Sequence, residues 1–323
     1  MIDDNEIKFA DVDRDVSLDS IKGNGFTKYA MALAAGSGLN MIVFGPRGSL
    51  KTALLNRFYQ LLPLLSEEEQ IEANRINVAC GLGEAQNIRP FRVPHYTASL
   101  EGMIGGGKNL RPGEITLAHN GVLFLDDIAE FRTCVLQALR VPLERKKITL
   151  AREGVVTEYP ANFQLIATAQ HCLCGNRTYD DERCLCSEKG IGYYTDKFLK
   201  PLGSRFEIAV NVKEELSEFS LADLRRMVEK LRLKAKERGG LISSLDINHE
   251  CFKVPFFLYK ACDNANAEKL TRLSRAIADL YDKDKITKED VNMATLFCNF
   301  AYQKKNIRFV TKTSRIRGFY EFN

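Results

Sequence analysis

Residues 45–52 read Gly45-Pro46-Arg47-Gly48-Ser49-Leu50-Lys51-Thr52, after the apolar run Leu39-Asn40-Met41-Ile42-Val43-Phe44 and before Ala53-Leu54-Leu55-Asn56-Arg57-Phe58. A strand, a glycine-containing turn and Lys-Thr at the head of a helix are the parts of a phosphate-binding loop, and that order commits the chain to an α/β layer. Backbone N–H groups and the helix dipole make such a loop electropositive. Lys51 is then placed for the β- and γ-phosphates of a nucleoside triphosphate, and the Thr52 hydroxyl for Mg²⁺. One position departs from the pattern G-x-x-x-x-G-K-[ST]: Leu50 stands where glycine would let backbone approach phosphate without a Cβ. The cradle is recognisable but altered.

The chain has 323 residues, 45% hydrophobic and 27% charged, which is enough for two cores in an ordinary globular protein. Its net charge of +4 is too small to demand a polyanionic partner. The distribution is uneven, with seven acidic residues between Met1 and Ser20 and a C-terminus crowded by Lys304, Lys305, Arg308, Lys312, Arg315 and Arg317. Such a tail is either a nucleic-acid contact or simply solvated. The acidic N-terminus is unlike a signal peptide, and no apolar run reaches membrane-spanning length. A cytoplasmic protein without a membrane partner is expected, its nine cysteines serving as thiols or metal ligands rather than disulfides.

Patterning along the chain predicts strands alternating with helices, then helices alone. Ser66 and Glu69 form a capping box at one helix start. Gly102 to Gly121, with Gly105-Gly106-Gly107-Lys108, reads as an exposed loop or hairpin, and Phe131 to Glu144 as one helix with Val135, Leu136, Leu139 and Leu143 on a face. β-formers on either side of Glu153-Gly154 predict a hairpin. Phe163 to Ala169 and Arg205 to Val212 are further strands. Helical periods follow at Leu221–Arg238, about His249–Cys262, Ala267–Asp282 and Thr287–Lys304. The expected division is an acidic segment 1–20, an α/β core 21–215, a helical domain 216–305 and a basic tail 306–323.

The apolar run Gly121-Val122-Leu123-Phe124-Leu125 ends in Asp126-Asp127. A carboxylate at a strand end beside a phosphate loop can hold the Mg²⁺ shell, and its neighbour can orient or deprotonate a water; this assigns Asp126 to metal and Asp127 to water. Two aspartates there also serve as strand-end and helix-cap residues. Aspartate at the second position is one methylene shorter than the usual glutamate, which predicts slower hydrolysis.

Three longer runs carry a resemblance. They are Arg89-Pro90-Phe91-Arg92-Val93-Pro94-His95-Tyr96-Thr97-Ala98-Ser99, Ile104-Gly105-Gly106-Gly107, and Arg111-Pro112-Gly113-Glu114-Ile115-Thr116-Leu117-Ala118-His119-Asn120-Gly121 continuing into the aspartates. With Tyr159-Pro160-Ala161-Asn162, Cys172-Leu173-Cys174-Gly175 and Arg275-Ala276-Ile277-Ala278-Asp279-Leu280, the chain resembles the magnesium-chelatase-like AAA+ ATPases over about Phe9 to Ala301, and within them the ComM/YifB branch. The resemblance implies an AAA+ P-loop core, a parallel sheet sandwiched by helices with β-hairpin inserts, followed by a small helical lid. It implies ATP and Mg²⁺ as cofactors, assembly into a homo-oligomeric ring, in this family a hexamer, and either DNA branch migration or remodelling of a partner protein.

By the same resemblance Arg205, in Gly203-Ser204-Arg205-Phe206, would be an arginine finger for a neighbouring subunit; a surface arginine opening a strand is the alternative. The Glu153-Gly154 hairpin and the glycine-rich insert would face a central pore, with Lys108, Lys146, Lys147 and Arg152 tracking nucleic acid, or would be solvated. Besides Leu50 and Asp127, Gln170 replaces the usual γ-phosphate-sensing asparagine, and Ala265 stands at the expected sensor arginine unless Lys269 or Arg272 substitutes. The family's N-terminal domain, resembling part of Lon protease, is expected to be missing. These departures leave open a nucleotide-binding subunit with weak turnover.

Cys172, Cys174, Cys184 and Cys186 form two C-x-C pairs. They read either as a structural tetrahedral Zn²⁺ site, with His171 as a competing ligand, or as free thiols. Cys80, Cys134, Cys251, Cys262 and Cys298 fit apolar packing. His95 and His119 suit buried hydrogen bonding as well as chemistry, and His249 a helix start.

Overall fold

A computed structural model describes residues 7–11, 13, 16–84, 86–177, 184–212, 218–252 and 264–298. The basic tail and most of the acidic segment lie outside the described residues, as do Cys262 and most of the helix expected at 249–262.

The chain enters the core through α1 (Gly25–Ser37), ended by Gly38 at φ 76°, and then β1 (Met41–Phe44), buried throughout. The phosphate-loop segment leads into the short α2 (Lys51–Leu55). α3 (Glu67–Cys80) starts at the expected capping box, Ser66 accepting from the Glu69 N–H and Glu69 from the Ser66 N–H. β2 (Phe91–Arg92) follows, then α4 (Leu100–Ile104), a two-residue ribbon of β3 (Gly105–Gly106) and β4 (Arg111–Pro112), and α5 (Glu114–Leu117). Of the loop and the hairpin that its glycines allowed, this insert is the hairpin, and its base is packed. Met103, Leu110, Ile115 and Ala118 are buried, and a Cβ on Gly113 would lie 2.3 Å from the Gly105 nitrogen, so glycine is what lets the ribbon close.

β5 (Val122–Leu125) ends at the aspartates. The single helix expected over 131–144 is two, α6 (Thr133–Ala138) and α7 (Arg140–Arg145); Pro142, which has no N–H to donate, sits in the first turn of the second. β6 (Lys147–Arg152) and β7 (Val155–Pro160) form the expected hairpin, its turn made by Glu153 and Gly154 at φ 50° and 80°. β8 (Gln164–Ala169), α8 (Glu188–Leu202) and β9 (Ile208–Asn211) complete the α/β part. Then come α9 (Leu221–Arg238), α10 (Asn264–Leu280) and α11 (Lys288–Phe297), capped by Thr287 and Asp290.

Five strands make one parallel sheet in the order β2-β5-β8-β1-β9, with Met41 opposite Ile166 and Ile208, and Val122 opposite Gln164. Strand periodicity of two sends alternate residues to two different cores. Met41, Val43, Val122, Phe124 and Ile166 join a core with α1, α9, α10 and α11, while Ile42, Phe44, Leu123, Leu125 and Leu165 join one with α6, α8 and the hairpin. The C-terminal helices thus bury their apolar faces in a core continuous with one side of the sheet. Because all five strands are parallel, the segments after Phe44, Leu125, Ala169 and Asn211 emerge together at one edge, where ligands of α/β sheets bind.

Candidate nucleotide site

Gly48 takes φ 79°, with nothing within 4 Å of where a Cβ would stand, so the turn needs glycine's left-handed backbone there. The loop closes on the Pro46 carbonyl, which accepts from Ser49 Oγ at 2.9 Å and Lys51 Nζ at 3.3 Å. Lys51 is only 4% exposed, and its ammonium also lies 3.9 Å from Asp127 Oδ1. Leu50 turns out not to strain the loop. Its φ of −73° is open to any L-residue, and the side chain is 42% exposed.

Across the sheet edge, Thr52 Oγ1 donates to Asp126 Oδ1 at 2.9 Å, and Thr168 Oγ1 donates to the same oxygen at 2.6 Å. Thr168 also accepts the Asp127 N–H at 2.7 Å. That bond, together with the Glu130 N–H on the Asp127 carbonyl at 2.8 Å, holds Asp127 at φ 47°, a left-handed conformation that aspartate tolerates better than most residues. Burial raises the Asp127 pKa, with the Asp126 charge acting in the same direction; Lys51 and a hydrogen bond from Gln170 restrain the rise. Asp127 Oδ1 is buried without a hydrogen-bond donor, which is a place for a polar group to be received.

These donors and acceptors fit a magnesium–triphosphate group. Thr52 and Asp126 present hard oxygens, the kind Mg²⁺ takes alongside its waters, and Lys51 supplies a compact positive charge over the loop. α2 is too short for a large macrodipole, so Lys51 and the loop amides carry the electrostatics.

Gln170 is buried at the end of β8, beside Asp127. Next to it, His171 stacks on Phe44 with ring centroids 5.4 Å apart and hydrogen-bonds to Asn211; burial, with Arg177 and Lys51 nearby, lowers its pKa to about 4. It is therefore packed against the sheet edge rather than among the sulfurs. Cys172, Cys174, Cys184 and Cys186 do come together, their four Sγ atoms all within 4.8 Å of one another. The turn after Cys172 touches the phosphate loop, because the Gly175 carbonyl accepts the Arg47 N–H at 2.8 Å.

Other candidates lie elsewhere. Arg205 pairs with Glu144 of its own chain, away from the loop. Lys269 donates to the Gly203 carbonyl at 2.7 Å and Arg272 to Ile242 and Glu268, so neither reaches the phosphate loop; Ala265 lies in α10 and its side chain is outside what is described. Lys146 is half-buried, its pKa lowered by burial, with Glu207 and Arg272 acting on it, and is not on the hairpin's open surface. Lys147 and Arg152 are exposed but paired with Glu158 and Glu153. Lys108 is exposed on the ribbon, and Tyr159 Oη donates to the Leu110 carbonyl at 3.0 Å, joining ribbon to hairpin. His119 is structural, bonded to Glu72 at 3.0 Å and to the Asn162 N–H at 3.0 Å.

Thr168 is the site residue that sequence reasoning missed. Its one signal is a hydroxyl directly after the apolar run Leu165-Ile166-Ala167, two positions before Gln170.

A five-stranded parallel sheet flanked by helices, with a glycine-containing loop after one strand and paired aspartates after another, defines an α/β P-loop core of the AAA+ type. The family model described as "Magnesium chelatase, subunit ChlI" matches residues 17–219, and the chain belongs to this family, in its ComM/YifB branch. It is 35% identical over 298 residues to "Competence protein ComM" of Haemophilus influenzae, covering 84% of this chain and 58% of the relative. It is 31% identical over 307 residues to "Uncharacterized protein YifB" of Escherichia coli, covering 87% and 60%. Identity to "Magnesium-chelatase subunit ChlI, chloroplastic" of Nicotiana tabacum is 25% over 199 residues, covering 58% and 43%. The chain spans about three-fifths of the ComM and YifB relatives. Among the described residues no helix is long and apolar enough to cross a membrane.

Proposed function

We propose that the chain binds Mg-ATP at the loop 45–52 and hydrolyses it, as one subunit of a homo-oligomeric ring acting on DNA. The observation that carries the nucleotide reading is the convergence of Thr52 and Thr168 on Asp126 Oδ1, with Lys51 between the Pro46 carbonyl and Asp127. In this reading Thr52 and Asp126 hold the Mg²⁺, Lys51 the outer phosphates, Asp127 the attacking water and Gln170 the γ-phosphate end, while Arg205 serves a neighbouring subunit's nucleotide once released from Glu144. Bound Mg²⁺ would neutralise charge developing on the phosphates.

DNA as the substrate, a hexameric ring and branch migration are what the ComM/YifB resemblance implies. The exposed Lys108, Lys147 and Arg152 on the joined ribbon and hairpin support a polyanion contact there. A second reading, nucleotide binding with weak turnover, is supported by the engagement of Lys269 and Arg272 away from the loop. Phosphate release by the purified chain, with and without branched DNA and with Lys51→Ala as control, separates them. DNA-stimulated release abolished in the variant supports the motor. Stimulation by a protein alone points to partner remodelling, and Mg-ATP binding by calorimetry without release supports the second reading.

A further inference from the structure

The four cysteines do more than gather: they sit one turn from the phosphate loop. Cys172 is fully buried, directly after Gln170 and His171 at the end of β8. Its Sγ lies 3.3 Å from Cys174 and 3.6 Å from Cys184, and Cys174 lies 3.7 Å from Cys184. A tetrahedron of sulfurs each about 2.3 Å from a central zinc has edges of about 3.8 Å. The observed spacings approach that figure, and none of these cysteines is in a disulfide. Four sulfur ligands and no open position is the donor set of a structural, not a catalytic, zinc.

What the site would hold in place is specific. Cys172 and Gly175 are the ends of one turn, closed by the Gly175 N–H on the Cys172 carbonyl at 3.1 Å. Gly175, at φ 73°, is wedged between the two halves of the nucleotide site. A Cβ there would lie 2.5 Å from Gln170 Oε1 and 3.1 Å from Arg47 Cβ, and its carbonyl takes the Arg47 N–H. The ends of the turn, Cys172 and Gly175, are buried, but its middle has little packing to fix it, with Leu173 70% exposed. Fixing both of its cysteines to a metal also tied to Cys184 and Cys186 removes that freedom.

We propose that Cys172, Cys174, Cys184 and Cys186 bind one Zn²⁺ whose role is to anchor the 172–175 turn against the phosphate loop, so that metal occupancy sets the order of residues 45–50. Metal binding and loop anchoring stand on this geometry alone; only an effect on ATP affinity rests on the nucleotide reading above.

The test uses the whole chain, purified under reducing conditions without a histidine tag. Elemental mass spectrometry is expected to find about one zinc per chain, falling at least about tenfold in Cys184→Ser and in Cys174→Ser. Zinc is then stripped from the unmodified protein with a mercurial and a chelator, circular dichroism checking that the sheet persists, and amide hydrogen exchange is followed by peptide. Exchange in peptides covering residues 45–50 is expected to accelerate about tenfold or more, while those covering 122–125 hold their rate. A folded protein with no zinc, or with iron in its place, overturns the metal assignment. Zinc that leaves without altering exchange at 45–50 overturns the anchoring. Neither readout needs ATP, so a chain that binds zinc with the expected exchange response yet no nucleotide would refute the ATPase proposal and support this one.

Discussion

Thr168 donates to Asp126 Oδ1 at 2.6 Å and takes the Asp127 N–H at 2.7 Å, so one hydroxyl on β8 fixes the Asp126 carboxylate and the Asp127 backbone at the end of β5. This relationship exists because β8 is paired with β5 in register, Ala167 opposite Leu125. It places a buried, non-ionisable group behind the two aspartates.

Thr168→Val keeps the shape but removes both bonds and leaves the Asp127 N–H buried without an acceptor. A loss of about 1–3 kcal/mol in unfolding free energy is expected by urea denaturation, together with reduced phosphate release. Thr168→Ser keeps the hydroxyl and should recover most of both. Equal behaviour of the two variants would remove Thr168 from the site.

Asp127→Asn should retain Mg-ATP binding in calorimetry while phosphate release falls by about 10²-fold or more, because the variant keeps the size and loses the base. A parallel loss of binding would mean that Asp127 serves mainly to hold Lys51.

Two buried groups give opposing pH dependences. His171 titrates near 4 in the folded chain against 6.5 unfolded, so the unfolded state takes up its proton first and stability falls as pH drops from 6.5 toward 4. Burial raises Glu207 from 4.5 to about 7, outweighing the Asn40 N–H bond and the pull of Lys269 and Arg272; its contribution is complete below pH 4.5 and is lost as pH rises through 7. Each could amount to about 3 kcal/mol at most, less where water reaches the group, and they largely cancel between pH 4.5 and 6.5. Glu207→Gln, which preserves an acceptor for Asn40, should unmask the histidine, giving a melting temperature that rises from pH 4.5 to 6.5 more steeply than in the parent. An unchanged profile in thermal melts would contradict this assignment.

Asp279 and Arg275, each 3% exposed, are joined at 2.9 Å, and Arg238 of α9 binds the other Asp279 oxygen. Asp279→Asn leaves two guanidinium groups with a neutral partner and should destabilise by about 3–5 kcal/mol in denaturant unfolding. A change under 1 kcal/mol would show that solvent relieves the charges there.

Much of the site was legible because its signals are local. The strand, the turn glycine and Lys-Thr are contiguous, so Gly45 to Thr52 can be read without knowing any neighbour. Asp126-Asp127 carries a similar signal in a continuous apolar run. The capping boxes at Ser66 and Thr287 and the Glu153-Gly154 turn were equally readable, since each satisfies its own backbone within four residues.

What the sequence determined by itself, then, was the α/β class, the family and the chemistry that residues 45–52 and 126–127 can offer, since these follow from spacing along one chain. Only the tertiary structure decided that Thr168 stands behind both aspartates, that Lys146 is withdrawn from the hairpin surface, that Leu50 leaves the loop unstrained and that Gly175 bridges the sulfur cluster to Arg47. Each of those depends on strand order and on contacts between residues far apart in the chain. Pairing β8 between β1 and β5 is a choice of topology, and no local propensity encodes it.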